Sequence, residues 1–149
     1  MKILLLVDGS KWSHKAAMYA QNIALNRGAE VMLMSVLDRE EAKRYAFNFC
    51  SQSGICDTLH QYEEQIWSDM KKGIEDDLSH LIKVFGEKGI DCEMKIVEGN
   101  AGDEINTEIE NGGYSLVLTG AFGKSGRTHM GAVCEMVSRR SMVPHMIVK

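Results

Sequence analysis

The chain is poor in proline, with Pro144 its only one, and aromatics make up just 7% of its 149 residues. A single proline with 26% charged residues excludes a collagen-like or disordered chain, and 44% hydrophobic composition is that of a globular fold. There is no excess of positive charge: 17 Lys and Arg against 21 Asp and Glu leave a net −4. A duplex nucleic-acid binder needs a clear surplus of cations to meet the phosphates, so DNA is not an expected partner and only a local basic patch is left. No long hydrophobic run occurs either. The opening apolar stretch stops at Val7, with Asp8 next, whereas a secretory core is longer and a membrane span takes about 20 residues. The expectation is a cytoplasmic protein with no membrane partner, and its length predicts one domain over residues 1–149.

The four cysteines, Cys50, Cys56, Cys92 and Cys134, form no CxxC pair. In a reducing compartment they read as four thiols, some of them buried. Cys50, Cys56 and His60 lie close in sequence, but no fourth ligand at zinc spacing accompanies them, and no metal site is expected.

What is present is an alternation of short apolar runs and helical patterns. Residues 2–7 read as a buried strand meeting the turn Asp8-Gly9-Ser10, after which Ser10 or Ser13 caps an alanine-rich helix ending at Gly28. Residues 30–37 (EVMLMSVL) are a second strand. Residues 38–60 are the least regular stretch, a variable connection with helix around 39–47. From Gln61 a long amphipathic helix places Tyr62, Ile66, Met70, Ile74, Leu78, Leu81, Ile82 and Phe85 on one face and ends at Gly86 or Gly89. Residues 92–97 are a third strand, 101–110 a short helix, 115–119 a continuously apolar fourth strand, 132–140 a helix and 142–148 a last strand. Strict alternation argues for a parallel sheet covered on both faces, an α/β fold whose ligands sit outside the carboxyl ends of its strands.

One of those ends opens into a glycine-rich segment from Gly120 to Gly131, running from a buried strand into a helix. Glycines let backbone N–H groups turn inward as an anion nest, and the following helix adds unpaired N–H groups and the positive end of its dipole. Lys124 and Arg127 are candidate phosphate contacts, with His129 a further source of charge. A Walker loop is excluded, because the glycine that Gly123-Lys124-Ser125 would require is Leu118. GxGxxG is also absent, the spacing being Gly120-x-x-Gly123-x-x-Gly126.

No catalytic constellation is expected. Ser10 and Ser13 have no His/Asp partner nearby in sequence and GxSxG is missing. His14, His80 and His145 share no spacing and read as surface or packing residues. Asp8, at a strand end, reads as a contact to backbone N–H groups or a ligand amine.

Taken in order, Val7-Asp8-Gly9-Ser10, Val97-Glu98-Gly99, Leu116-Val117-Leu118-Thr119-Gly120, Gly131-Ala132-Val133 and Val143-Pro144 resemble a universal stress protein domain over nearly the full length. The resemblance implies an open five-stranded parallel sheet in the order 3-2-1-4-5, a Rossmann-like, adenine nucleotide alpha hydrolase-like fold. It also implies a homodimer through the C-terminal strand, from Met142 to Val148. For the nucleotide-binding branch it implies ATP or another adenine nucleotide, with Mg2+ as an accompanying ion, at Val7, Asp8, Val36, Thr119, Gly120, Gly123, Gly131, Ala132 and Val133. Asp8 and Val36 would border the adenine, Gly120 and Gly123 would approach ribose and phosphates, and the helix start at Gly131 would hold phosphate. Two departures stand out. The family pattern is Gly-x2-Gly-x9-Gly-[Ser/Thr], whereas seven residues separate Gly123 from Gly131, and Ala132 replaces the hydroxyl residue.

Three functions are compatible with these features. The first is a non-enzymatic stress-response module that binds an adenine nucleotide and acts through dimerisation and protein partners, with ATP hydrolysis at most very slow. The second is a nucleotide-independent interaction protein whose short Gly123 to Gly131 loop and Ala132 no longer accept phosphate. The third is an α/β enzyme such as a nucleotidyl transferase or nucleotide hydrolase.

Overall fold

The computed structural model describes residues 1–54, 59–124 and 130–149. Its elements run β1 (Lys2–Leu6), α1 (Lys11–Arg27), β2 (Glu30–Leu37), α2 (Arg39–Ser53), α3 (Leu59–Glu87), β3 (Cys92–Glu98), α4 (Ala101–Asn111), β4 (Leu116–Gly120), α5 (Ala132–Arg140) and β5 (His145–Val148). The five strands form one sheet in the order β3-β2-β1-β4-β5, every pair parallel. The fold class matches the one read from the sequence, and the strand order matches the one implied by the family resemblance. The alternation is not strict, however, because α2 and α3 both lie between β2 and β3.

Successive side chains on a strand point to opposite faces, and β1 supplies both cores of the molecule. Ile3, Leu5 and Val7 pack with Leu33, with Ala16, Ala17, Ala20 and Ala24 of α1, and with Leu78 and Phe85 of α3. Leu4 and Leu6 pack on the other face with Met34, Val117, Ile105 of α4 and Val137 of α5. A strand covered on both faces is apolar on both, which is why β1 from Ile3 and β4 from Leu116 to Leu118 read as unbroken hydrophobic runs.

Local chemistry sets the element ends. Ser10 caps α1, its Oγ accepting from the Ser13 N–H at 3.2 Å, and Gly28 closes the helix in the left-handed region at φ 63°. The Asp38 side chain accepts from the Glu40 N–H and starts α2, which continues to Gly54 at φ 71°. β5 is shorter than residues 142–148 because the Ser141 hydroxyl bonds both the carbonyl and the N–H of Val143, at 2.9 and 3.0 Å, turning the chain before the ladder begins.

The cysteines depart from the expectation of four thiols. Cys92 and Cys134 are free, Cys50 is disulfide-bonded, and Cys56 lies outside the described residues. Burial, with Asp91 and Glu93 adding to it, pushes the Cys92 thiol up to about 12, so it stays protonated and unreactive at neutral pH. Among the described residues no helix is long and apolar enough to cross a membrane.

Candidate functional site

The carboxyl ends of β1, β2 and β4 bring four segments together: Val7 to Ser10, the first turn of α2, the start of the glycine-rich loop and the start of α5. Val7 is buried and held by both backbone groups. Its N–H donates to the Met34 carbonyl at 2.9 Å, and its carbonyl accepts from the Ser35 hydroxyl at 2.5 Å. Asp8 is exposed; its Oδ1 accepts from the Ser10 N–H at 2.9 Å, folding the turn into α1. Its Oδ2 faces Gly123, lying 3.8 Å from where a Cβ on that glycine would sit.

The loop closes at its base. The Gly131 N–H donates to the Ala121 carbonyl at 3.0 Å, and the Ala121 N–H donates to the Val148 carbonyl at 2.8 Å. A Cβ on Gly131 would lie 3.4 Å from the Gly123 nitrogen. Asp8, Gly123 and Gly131 therefore line one small region. Gly131 is the N-cap of α5 and provides no side-chain cap, so among the described residues no side chain caps the amide end of that helix, the kind of end that suits an anion. Ala132 is exposed, whereas Val133 and Val36 are partly buried against the same core cluster.

Two of the expected contact residues are engaged elsewhere. The Thr119 side chain is buried, and its hydroxyl pairs with His145 Nε2 at 2.7 Å. At Gly120 a Cβ would come within 2.7 Å of the Trp12 carbonyl carbon and Cβ, and 2.9 Å of the Ser13 nitrogen. That glycine lets the start of α1 lie against β4, which is a packing role. Arg127 and His129 lie outside the described residues.

Lys124 reaches back over the turn: a Cβ on Gly9 would sit 3.2 Å from its Nζ and 2.9 Å from Asp77 Oδ2. Asp77 in turn lies 3.6 Å from His14 Nε2. Glu41, from the first turn of α2, faces the same space. Burial raises its carboxyl above the ordinary value, Lys124 and Arg44 pull it back down, and Asp38 and Asp8 push it up. Neither Glu41 nor Asp77 stood out in the sequence. Asp77 follows two other acidic residues, Glu75 and Asp76, and only its position one residue from the buried Leu78 separates it from that solvated face. Among the described residues no cluster of three or more His, Cys, Asp or Glu side chains could hold a metal ion.

A groove of about 560 Å³ lies away from the strand ends, between α2 and α3, lined by Tyr45, Asn48, Phe49, Gln52, Tyr62 and Ile66. It touches none of the loop residues.

The model of the Universal stress protein family matches residues 1–149. The chain belongs to this family. Universal stress protein YxiE of Bacillus subtilis is 29% identical over 150 residues, spanning 99% of this chain and 98% of that protein. Universal stress protein MJ0577 of Methanocaldococcus jannaschii is 25% identical over 152 residues, spanning 99% of this chain and 94% of that protein. The solved MJ0577 structure superposes with a TM-score of 0.80 at 23% identity, covering 99% and 94% of the two chains. A universal stress protein from Archaeoglobus fulgidus, solved in complex with dAMP, superposes with a TM-score of 0.67 at 16% identity, covering 100% and 98%. The structural likenesses establish a shared fold. Seven residues lie between Gly123 and Gly131, and Ala132 follows Gly131, the two points at which the sequence departs from the pattern that the resemblance implied.

Proposed function

We propose that this universal stress protein binds an adenine nucleotide at the carboxyl end of its sheet and acts without catalysis, as a stress-response module working through dimerisation and protein partners. The observation that carries the reading is the amide end of α5, capped by Gly131 without a side chain and set beside Gly123 and Asp8. Phosphate is the ligand such a helix end suits. The N–H groups of Ala132 and Val133 would receive it, with Lys124 supplying a cation. Asp8 Oδ2, left free by the bond to Ser10, would accept the adenine amine, and Val36 would offer an apolar surface to the base. That the Archaeoglobus fulgidus relative was solved with dAMP supports an adenine nucleotide as the ligand class. The missing hydroxyl at Ala132 removes one hydrogen bond, about 1 kcal/mol, which weakens binding without abolishing it. Mg2+ would enter with the phosphates of ATP.

Dimerisation through β5 is part of the same proposal. β5 is an edge strand, bonded to β4 on one side only, and an open edge is a ready surface for pairing with a second copy.

Titration calorimetry and melting curves with AMP, dAMP and ATP, each with and without Mg2+, test the site. Saturable heat and a nucleotide-dependent rise in melting temperature are expected. Absence of both for all three ligands overturns the reading. One observation favours the alternative, a nucleotide-independent interaction protein: Lys124 already faces the Glu41 carboxyl, and it shares the space over Gly9 with Asp77. Mass spectrometry of gently purified protein separates the two, since only a nucleotide binder carries bound nucleotide through purification.

A further inference from the structure

His145 is not among the nucleotide contacts that the family resemblance implies, yet it joins three elements. From β5 its Nε2 meets the Thr119 hydroxyl of β4 at 2.7 Å, and its Nδ1 meets the Ser138 hydroxyl of α5 at 3.1 Å. The proton positions follow from the third bond in the chain. Ser138 Oγ donates to the Cys134 carbonyl at 2.8 Å, so its own proton is committed. Nδ1 must then carry a hydrogen and donate to Ser138, which leaves Nε2 to accept from Thr119. The neutral ring satisfies all of these groups. A second proton on Nε2 would point at the Thr119 hydroxyl hydrogen, and the buried Thr119 would have to turn and give up its donation.

We propose that neutral His145 is a positioning residue that pins α5 to the sheet, and that its protonation loosens the amide end of α5 and weakens nucleotide binding. The binding half of this proposal rests on the nucleotide reading above. The mechanical path is short. The far end of β5 accepts from Ala121 through the Val148 carbonyl, and the Ala121 carbonyl accepts from Gly131 at the start of α5. The near end of β5 holds the last turns of the same helix through His145 and Ser138. α5 is thus tied to β4 and β5 at both ends, and one of the two ties titrates. The ionisable surroundings do not replace it. β4 contributes Thr119 and no ionisable group. α5 contributes Cys134, Glu135, Arg139 and Arg140, of which Glu135 and Arg139 pair with each other. α1 packs on the other face of the sheet and carries Lys11, His14, Lys15, Tyr19 and Arg27. Burial alone lowers the His145 ring below its ordinary value, with no charged neighbour contributing.

The experiment measures the AMP dissociation constant at pH 7.5 and pH 5.5 for the unaltered protein and for His145→Gln. The phosphate of AMP titrates in the same range, but identically for both proteins, so the ratio of ratios isolates His145. The unaltered protein is expected to lose about fivefold more affinity on acidification than His145→Gln, the loss of roughly one hydrogen bond. Ser138→Ala, at an exposed position, should bind AMP about fivefold more weakly at pH 7.5. Hydrogen exchange without ligand supplies an independent arm: acidification, corrected for intrinsic exchange, should speed exchange in α5 of the unaltered protein but not of His145→Gln, with β1 and β2 unchanged in both. Equal pH ratios for the two proteins, or α5 exchange indifferent to His145, overturn the pin. If AMP fails to bind at pH 7.5, the nucleotide reading and the binding half fall together, while the exchange arm still decides the pin.

Discussion

Gly120→Ala tests whether the loop's first glycine serves the ligand or the scaffold. The added methyl would sit 2.7 Å from the Trp12 carbonyl carbon and Cβ and 2.9 Å from the Ser13 nitrogen. Favourable carbon–carbon separations begin at about 3.5 Å, so α1 must retreat from β4 by something near 1 Å. The contacts at risk are those of Ala16, Ala17 and Ala20, each 2% exposed or less and each too short to follow a receding sheet. The obstacle is backbone, which cannot rotate aside as a side chain can. Overpacking of this kind costs about 1–3 kcal/mol, a loss of roughly 3–10 °C in melting temperature for a chain of this length. Gly123→Ala is the internal control, because its nearest atom within 4 Å is Asp8 Oδ2 at an ordinary 3.8 Å. It should melt within about 1 °C of the parent, since ordinary van der Waals contact needs no rearrangement, while weakening nucleotide binding. Circular dichroism melts and AMP titration of both variants give the answer. A Gly120→Ala protein that melts like the parent, or a Gly123→Ala protein that melts like Gly120→Ala, refutes the division of roles.

Ser10→Ala removes the α1 cap and should cost about 1 kcal/mol in urea unfolding, with an unchanged denaturant slope. Burial raises the Glu41 carboxyl, so near and above its ordinary value the folded chain binds more protons there than the unfolded one, and stability falls as pH rises through that window. Glu41→Gln should therefore flatten that fall in melts collected from pH 4 to pH 7, and should tighten nucleotide binding by removing a negative charge beside Lys124. The Glu108 carboxyl is partly desolvated, but hydrogen bonds from Lys95 and Tyr114 hold it below its ordinary value. Its contribution is present at neutral pH and is lost as pH falls below the ordinary carboxylate range, and Tyr114→Phe should reduce the acid sensitivity of unfolding. Sedimentation or light scattering at micromolar concentration should give a dimer, and Met146→Glu on the exposed edge of β5 should give a monomer.

Much of this architecture was legible because most segments outside residues 38–60 kept to one period. β2 and α5 occupy the predicted ranges, since an apolar run between polar turns and a helical stripe between Gly131 and a basic last turn admit few alternatives. α2 runs six residues beyond the predicted 47, to Ser53, because its buried Ala42, Ala46 and Cys50 form a narrow stripe beneath exposed Phe47 and Phe49, which blurs the apolar period. The site was less legible than the fold. Position at a strand end was enough to expect Asp8, Gly123 and Gly131 in one region, but spacing does not report which side of a glycine is occupied, and Gly120 faces α1. Glu41, Asp77 and His145 meet their neighbours only through tertiary packing across 83, 47 and 26 positions, from Glu41 and Asp77 to Lys124 and from Thr119 to His145, separations at which a sequence pattern carries no signal.

The hydrogen bond between the Gly131 N–H and the Ala121 carbonyl makes the glycine-rich segment an exchangeable cassette. Its two feet are fastened to each other and to β5, so length changes inside it do not have to be absorbed by the sheet or by α5. Lengthening a closed loop by two residues costs only a few tenths of a kcal/mol in closure entropy. Inheritance can therefore shorten or extend this segment, and alter what it grips, at almost no risk to folding, and a protein engineer can graft a full-length family loop onto the same two feet.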